Sequence, residues 1–496
     1  MKRITHHVSR LTFHVPRFTH SHWLLLVTAV LLLVVKLTII DRVETPLRRA
    51  NLVDGRLRRV DVPMEITFGD EFVLLGYDAL PAPGVSSGER FEVVTYWRAL
   101  LPGGPNYGVT VNVVGPQALS WSGADVRSPR WHRGPPPEWE WPPDQYGVVA
   151  LSVPLLPGTP PGTYTVEVVA FDRDTLAPLT AHDASGRALG PALPLGQVAV
   201  VAPPRPADAD ALDIRHRFDA SLGPLTLLGA DFDRDQAAPG DPILLTTFWR
   251  AEEQPADDLT VRLELLAPDG ALAAAYDLSP AASWYPTSAW HPGDVWRGQH
   301  ILRLPAMIKS GSEAAPADLD SGDYTWHLTL LPIYQSTSLP STIRVTAPAR
   351  IFAPPPVDIE TNTRLGDIAT LVGANLEPAA QSPSLPIYQS TSITVTLVWR
   401  AEAETHTSYH AFLHLLDPQG RLVAQSDGVP ADWTRPTTGW LPGEYIADVR
   451  LLAIPPDAPA GEYTLSAGLY VPGGERLTAP GGADAIPLTT FQVEAR

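Results

Sequence analysis

A nine-residue stretch ending in Trp-Arg-Ala occurs three times in the chain. It reads FEVVTYWRA from Phe91 to Ala99, ILLTTFWRA from Ile243 to Ala251 and ITVTLVWRA from Ile393 to Ala401. The tryptophans Trp97, Trp249 and Trp399 lie 152 and 150 residues apart. Solenoid repeats are shorter than this, so the period marks three copies of a whole domain. Alternation is clear inside the stretch: Phe91, Val93, Thr95 and Trp97 share one face, as do Ile393, Val395, Leu397 and Trp399. That is a strand with its tryptophan on the core side and its arginine on the other.

The flanking segments repeat in step. Before each copy comes an apolar run closed by glycine: Gly76, Gly229 and Gly373. The pattern predicts a strand ending at each glycine, followed by a polar turn. After each copy comes a strand leading to a turn, clearest in Leu-Ala-Pro-Asp-Gly at 266–270 and Leu-Asp-Pro-Gln-Gly at 416–420. Proline-initiated turns closed by glycine join hairpins. A loop rich in tryptophan and proline follows, ending at Trp290-His-Pro-Gly-Asp and Trp440-Leu-Pro-Gly-Glu, with Trp141-Pro-Pro-Asp in the first copy. Each copy closes with Gly-x-Tyr-Thr at Gly162, Gly322 or Gly461, opening a strand of high β propensity. About seven short strands per copy, with no helical period, predict an all-β fold. The expected architecture is three tandem immunoglobulin- or fibronectin-like antiparallel β-sandwiches after one N-terminal transmembrane helix. The expected domains are residues 63–203, 204–353 and 354–496, with Pro-rich junctions (Ala202-Pro-Pro-Arg-Pro and Ala353-Pro-Pro-Pro) as semi-rigid spacers of a rod.

The N-terminus has a different character. Residues 1–22 form a basic, His-rich tail expected to be disordered. From Trp23 to Ile40 the chain is apolar (WLLLVTAVLLLVVKLTII), near the lower length limit for a spanning helix. Trp23 suits one interface and Lys36 can snorkel to the other. A signal peptide would need small residues at a cleavage site, and Asp41-Arg-Val-Glu-Thr-Pro offers none. The reading is an uncleaved single-pass anchor in the cytoplasmic membrane, an Arg-rich connector over 41–62, and a C-terminal body outside the cytoplasm.

Charge narrows the partners. The net charge is −18, and the residues after 60 are strongly acidic. An acidic body argues against nucleic acid, because phosphate binding needs a basic footprint. There is no cysteine.

No catalytic motif emerges: the chain has no Gly-x-Ser-x-Gly, no His-Glu-x-x-His and no phosphate loop. His410 and His414 on one strand are about 13 Å apart, too far for one metal ion. Asp231, Asp233 and Asp235 open like a calcium loop, but Gln236 and Pro242 break the pattern. No cofactor or metal is implied. The octapeptide Leu-Pro-Ile-Tyr-Gln-Ser-Thr-Ser recurs at 331–338 and 385–392, at non-equivalent places, and reads as a tolerated loop insertion. The remaining functional signal is aromatic. Trp121, Trp131, Trp139, Trp284, Tyr285 and Trp433 in the mid-copy loops are candidate glycan-binding residues, because exposed rings stack on sugar faces. The recurring Trp141, Trp290 and Trp440 suit pinning a loop over the sandwich.

Several of these segments together carry a family resemblance: Phe68-Gly-Asp with Leu74-Leu-Gly-Tyr, the Trp-Arg-Ala strands, FLHLLDPQGRLVAQ from Phe412, Trp440-Leu-Pro-Gly-Glu and PAGEYTLSAGLY from Pro459. Residues 63–494 resemble the extracytoplasmic β-sandwich repeats attached to bacterial membrane proteins of the glycosyltransferase (dolichyl-phosphate mannosyltransferase-like) type. The multi-span catalytic part of those proteins has no counterpart here, so the resemblance implies a cell-envelope setting and no transferase residues. The expected function is a non-catalytic, membrane-anchored envelope protein with a structural, adhesive or accessory binding role. Its partners would be the membrane, a cell-surface polysaccharide or a glycosyltransferase. Two alternatives stay open: a carbohydrate-binding protein using its loop tryptophans, and an envelope enzyme acting on glycans.

Overall fold

The structure is a computed structural model. It describes residues 20–35, 52–53, 55–57, 60–100, 107–126, 130–131, 146–308, 317–333, 335–377, 387–388, 392–455 and 458–494. Among these, the chain is all-β apart from one α-helix and short 3₁₀ turns. The strands form three successive pairs of sheets, called here the first, second and third units, and each pair encloses its own hydrophobic cluster.

The second and third units share one plan. In the second, a four-stranded sheet runs Arg217–Leu222, Leu225–Phe232, Pro242–Ala251, Val295–Arg303. Facing it, a five-stranded sheet runs Gln236–Ala237, Gln335–Val345, Gly322–Leu331, Thr260–Leu266, Leu272–Leu278. In the third, the sheets run Ile359–Leu365, Ala369–Glu377, Ser392–Ala401, Tyr445–Ala453 and Ile387–Tyr388, Ile486–Glu494, Gly461–Tyr470, His410–Leu416, Leu422–Gly428. The first unit follows the same order with extra strands on the edges of its larger sheet, among them Arg130–Trp131.

The Trp-Arg-Ala strand is interior to its sheet in every unit, and Trp97, Trp249 and Trp399 are fully buried. An interior strand is flanked on both edges and covered by the facing sheet, so its inward positions carry the largest rings. One pairing departs from an all-antiparallel plan. A two-residue strand between the glycine run and the Trp-Arg-Ala strand crosses to the other sheet, where it pairs parallel with that sheet's last strand.

The three glycines Gly76, Gly229 and Gly373 do not end strands. Their strands continue to Tyr77, Phe232 and Glu377. The ladder register shifts beside each glycine, which is a β-bulge. A Cβ at these positions would lie 2.5, 2.6 and 2.0 Å from the carbonyl oxygens of Val62, His216 and Ile359. Close backbone approach, not chain reversal, is why glycine recurs there.

The tyrosine of each Gly-x-Tyr segment is buried and donates its hydroxyl to a carbonyl four residues upstream. Tyr164 reaches Pro160 at 2.8 Å, Tyr324 reaches Asp320 at 3.0 Å and Tyr463 reaches Pro459 at 2.7 Å. The connecting chain is also packed. Leu52 joins Val73, Leu75, Val94 and Tyr96 on the outer face of the first unit. Leu212 joins Leu228, Phe248 and Val295 on the second.

The N-terminal helix, His20–Val35, has 16 residues. Its rise of about 1.5 Å per residue makes it shorter than the ~30 Å apolar layer of a bilayer. Among the described residues no helix is long and apolar enough to cross a membrane. The rest of the apolar run, residues 36–40, lies outside the described residues.

Candidate functional site

The six candidate aromatics are not brought together. Trp139 lies outside the described residues; Trp131 forms an edge strand with Arg130 and pairs with Gly147. The other four have separate fates.

Trp121 sits on the strand Ser120–Val126 of the first unit and is 2% exposed. It is enclosed by the second unit. The Trp284 ring meets it edge-on at 5.7 Å and meets Tyr164 edge-on at 6.0 Å. Two glycines make room for these indoles: a Cβ at Gly115 would lie 2.6 Å from Trp121 Nε1, and one at Gly162 would lie 2.7 Å from Trp284 Nε1. Arg297 of the second unit completes the contact. Its Nη2 donates to the Trp121 carbonyl at 2.7 Å, its backbone N–H donates to the Gly158 carbonyl at 2.7 Å, and its guanidinium lies over the Trp121 ring. Burial pushes the Arg297 pKa down to about 10. Trp121 and Trp284 thus join two units, with Trp121 buried and Trp284 half-buried in the contact. Tyr285 turns inward instead, between Trp290 and Trp296 of its own core.

The second and third units meet differently, backbone against backbone. A Cβ at Gly240 would lie 2.3 Å from Gly439 N, and one at Gly439 would lie 2.1 Å from the Pro239 oxygen. Thr438 Oγ1 donates to the Gly240 carbonyl at 2.8 Å, and Arg303 Nη1 donates to the same oxygen at 2.8 Å.

Trp433 is the exception among these four. It is 64% exposed, at the apex of residues 429–435 in the third unit. Two fully buried carboxylates grip the ends of that loop. Asp448 accepts from Ala431 N at 2.8 Å, from Arg450 Nε at 2.9 Å and from Trp399 Nε1 at 3.3 Å. Glu444 accepts from Arg435 Nη2, from Arg350 Nη1 at 2.7 Å and from Leu441 N at 3.0 Å. Arg450 also donates to the carbonyls of Ser426 and Gly428. These ions are a feature that reading the tryptophans alone misses. The signal for them lies in the strand Tyr445–Ala453, where Asp448 and Arg450 share the buried face with Ile446 and Leu452.

The metal candidates stay apart. Asp231 accepts from Arg215 N and His216 N, and Asp233 accepts from Leu244 N. His414 contacts Asp427 at 3.2 Å, while His410 lies between Trp433 and Tyr470. Among the described residues no group of three His, Cys, Asp or Glu side chains could hold a metal ion.

No family model matches the chain, and no curated protein does. Two solved structures are similar to the chain at 12% identity each. One is the C-terminal domain of Wzt, covering 27% of this chain and 79% of that one at a TM-score of 0.19. The other is a putative membrane anchored protein from Corynebacterium diphtheriae, covering 86% of this chain and 92% of that one at a TM-score of 0.15.

Proposed function

We propose that the chain is a non-catalytic, membrane-anchored protein of the cell envelope, in which three tandem immunoglobulin-like sandwiches form a stiff extracytoplasmic spacer. The observation that carries this reading is the way the units are joined. Trp284 from a loop and Arg297 from a strand of the second unit are committed to the first unit, and Gly439 and Thr438 of the third are committed to the second. Such contacts resist bending between units, which a spacer needs and three freely tethered modules would lack. The immunoglobulin-like assignment is supported by the face-to-face sheets and by the corner hydrogen bonds of Tyr164, Tyr324 and Tyr463. The anchor is supported by the helix His20–Val35, whose apolar side chains stand open: Leu25, Leu31 and Leu32 are each more than 60% exposed. Water does not favour such a surface, and a bilayer does.

Protease treatment of intact cells, and carbonate washing of membranes from untreated cells, test this. The expected result is a body degraded by external protease and, without protease, a full chain retained with the membrane through carbonate washing. A body protected from external protease, or a full chain released from untreated membranes, would overturn it.

A further inference from the structure

The loop that carries Trp433 is strained in a way its counterpart in the second unit is not. Ala431, Asp432 and Trp433 have φ of 54, 52 and 66°, three consecutive non-glycine residues in the left-handed region. Each such residue is disfavoured by its Cβ, and runs of them persist only where the surroundings fix the chain. Here the surroundings are the buried carboxylates Asp448 and Glu444, one holding Ala431 and the other Arg435. Residues 432–434 between them are exposed. The loop is held in an unfavourable shape, and the result is an indole at the surface.

The indole is also oriented. A Cβ on Gly428 would lie 3.1 Å from both Cε2 and Cζ2 of Trp433 and 3.2 Å from Nε1. Three nearly equal distances put one face of the ring on the chain at Gly428, so the opposite face is the exposed one. His410 stands edge-on to Trp433 at 5.2 Å and edge-on to Tyr470 at 5.6 Å. Burial, and Arg450 nearby, hold the His410 pKa below its ordinary value, so its imidazole is neutral at pH 7 and can both donate and accept. Trp284, from the corresponding loop, is instead inserted between the rings of another unit.

We propose that the free face of Trp433, with His410 at its side, is a stacking platform for the pyranose rings of an uncharged polysaccharide. The C–H face of a pyranose is apolar and weakly positive, which suits the negative face of an indole, while its hydroxyls both donate and accept, which an imidazole at the rim can match. A nucleic-acid base would also stack, but Asp432 beside the ring and a net charge of −18 repel phosphate.

The test is an array of uncharged pyranose oligosaccharides, including gluco-, manno- and chito-hexaoses, probed with the detergent-solubilised full chain. The wild type is expected to bind at least one series, Trp433→Ala to lose about tenfold in affinity, and Trp433→Phe to lose less. Because Trp433 is exposed, thermal midpoints should be unchanged; His410→Gln, which keeps a neutral polar side chain, serves as a second variant and should weaken binding less than Trp433→Ala. Failure of the wild type to bind any uncharged series would overturn the proposal, as would undiminished binding by Trp433→Ala. A self-association seen in sedimentation and abolished by Trp433→Ala would also overturn it, making the ring a protein contact.

Discussion

Trp284 and Trp121 come from different units, yet their ring centres are 5.7 Å apart and their planes are inclined at 72°. With Arg297 hydrogen-bonded to the Trp121 carbonyl, this contact makes the first two units one body. Trp284→Ala removes the wedge without disturbing the second unit's core, which it does not enter. Truncating a ring of this size at a packed contact costs about 2–3 kcal/mol, less than the full-burial figure because Trp284 is only half-buried. Calorimetry on the full chain should show the transition of the first unit separating from the rest and moving to lower temperature.

The second junction has no ring to remove, so the informative change adds an atom. Gly439→Ala would place a Cβ 2.1 Å from the Pro239 carbonyl oxygen, and both neighbours are backbone. Overpacking of this kind costs roughly 1–3 kcal/mol. The third unit should keep its own stability while its contact with the second opens. Hydrogen exchange at Gly240, whose N–H is bonded to Leu304 O beside the junction, should quicken.

His300 gives the second unit a pH dependence. It is 9% exposed on the strand Val295–Arg303, and burial lowers its pKa from 6.5 to about 4. The folded chain therefore keeps the imidazole neutral where the unfolded chain has taken up a proton. Its contribution is full above pH 6.5 and is lost as pH falls from there towards 4, reaching about 3 kcal/mol. Urea midpoints of wild type and His300→Gln should differ at pH 7 by a constant that shrinks or reverses by pH 4.5.

Local patterning carried the strands. The period-2 alternation before Trp97, Trp249 and Trp399, and the tyrosines after Gly162, Gly322 and Gly461, are set by neighbours within a few residues and the facing sheet. The bulges at Gly76, Gly229 and Gly373 were harder, because a glycine that ends a strand and one that admits a neighbouring carbonyl have the same letter. The aromatic loops were hardest. Trp121 and Trp433 sit in similarly polar, turn-rich surroundings, and what separates them is whether another unit arrives on top. That is decided by contacts more than 160 residues away in sequence, such as Gln117 to Ser283, which no local pattern encodes.

The strain under Trp433 can be relieved one residue at a time. Ala431 is held at φ 54° while its N–H donates to Asp448, and glycine can keep that hydrogen bond without the Cβ clash. Removing the clash gains about 1–2 kcal/mol, and the greater freedom of glycine in the unfolded chain returns up to about 1 kcal/mol of it. Ala431→Gly should therefore stabilise the third unit by about 1 kcal/mol, read as a higher urea midpoint at unchanged slope. A decrease would mean that the left-handed turn is not adopted in solution. The corresponding change in the second unit, Ala281→Gly, meets no left-handed backbone and removes a buried methyl, so it should destabilise. Opposite signs at these two matched positions would show that the third unit, unlike the second, accepts strain to hold an indole at its surface.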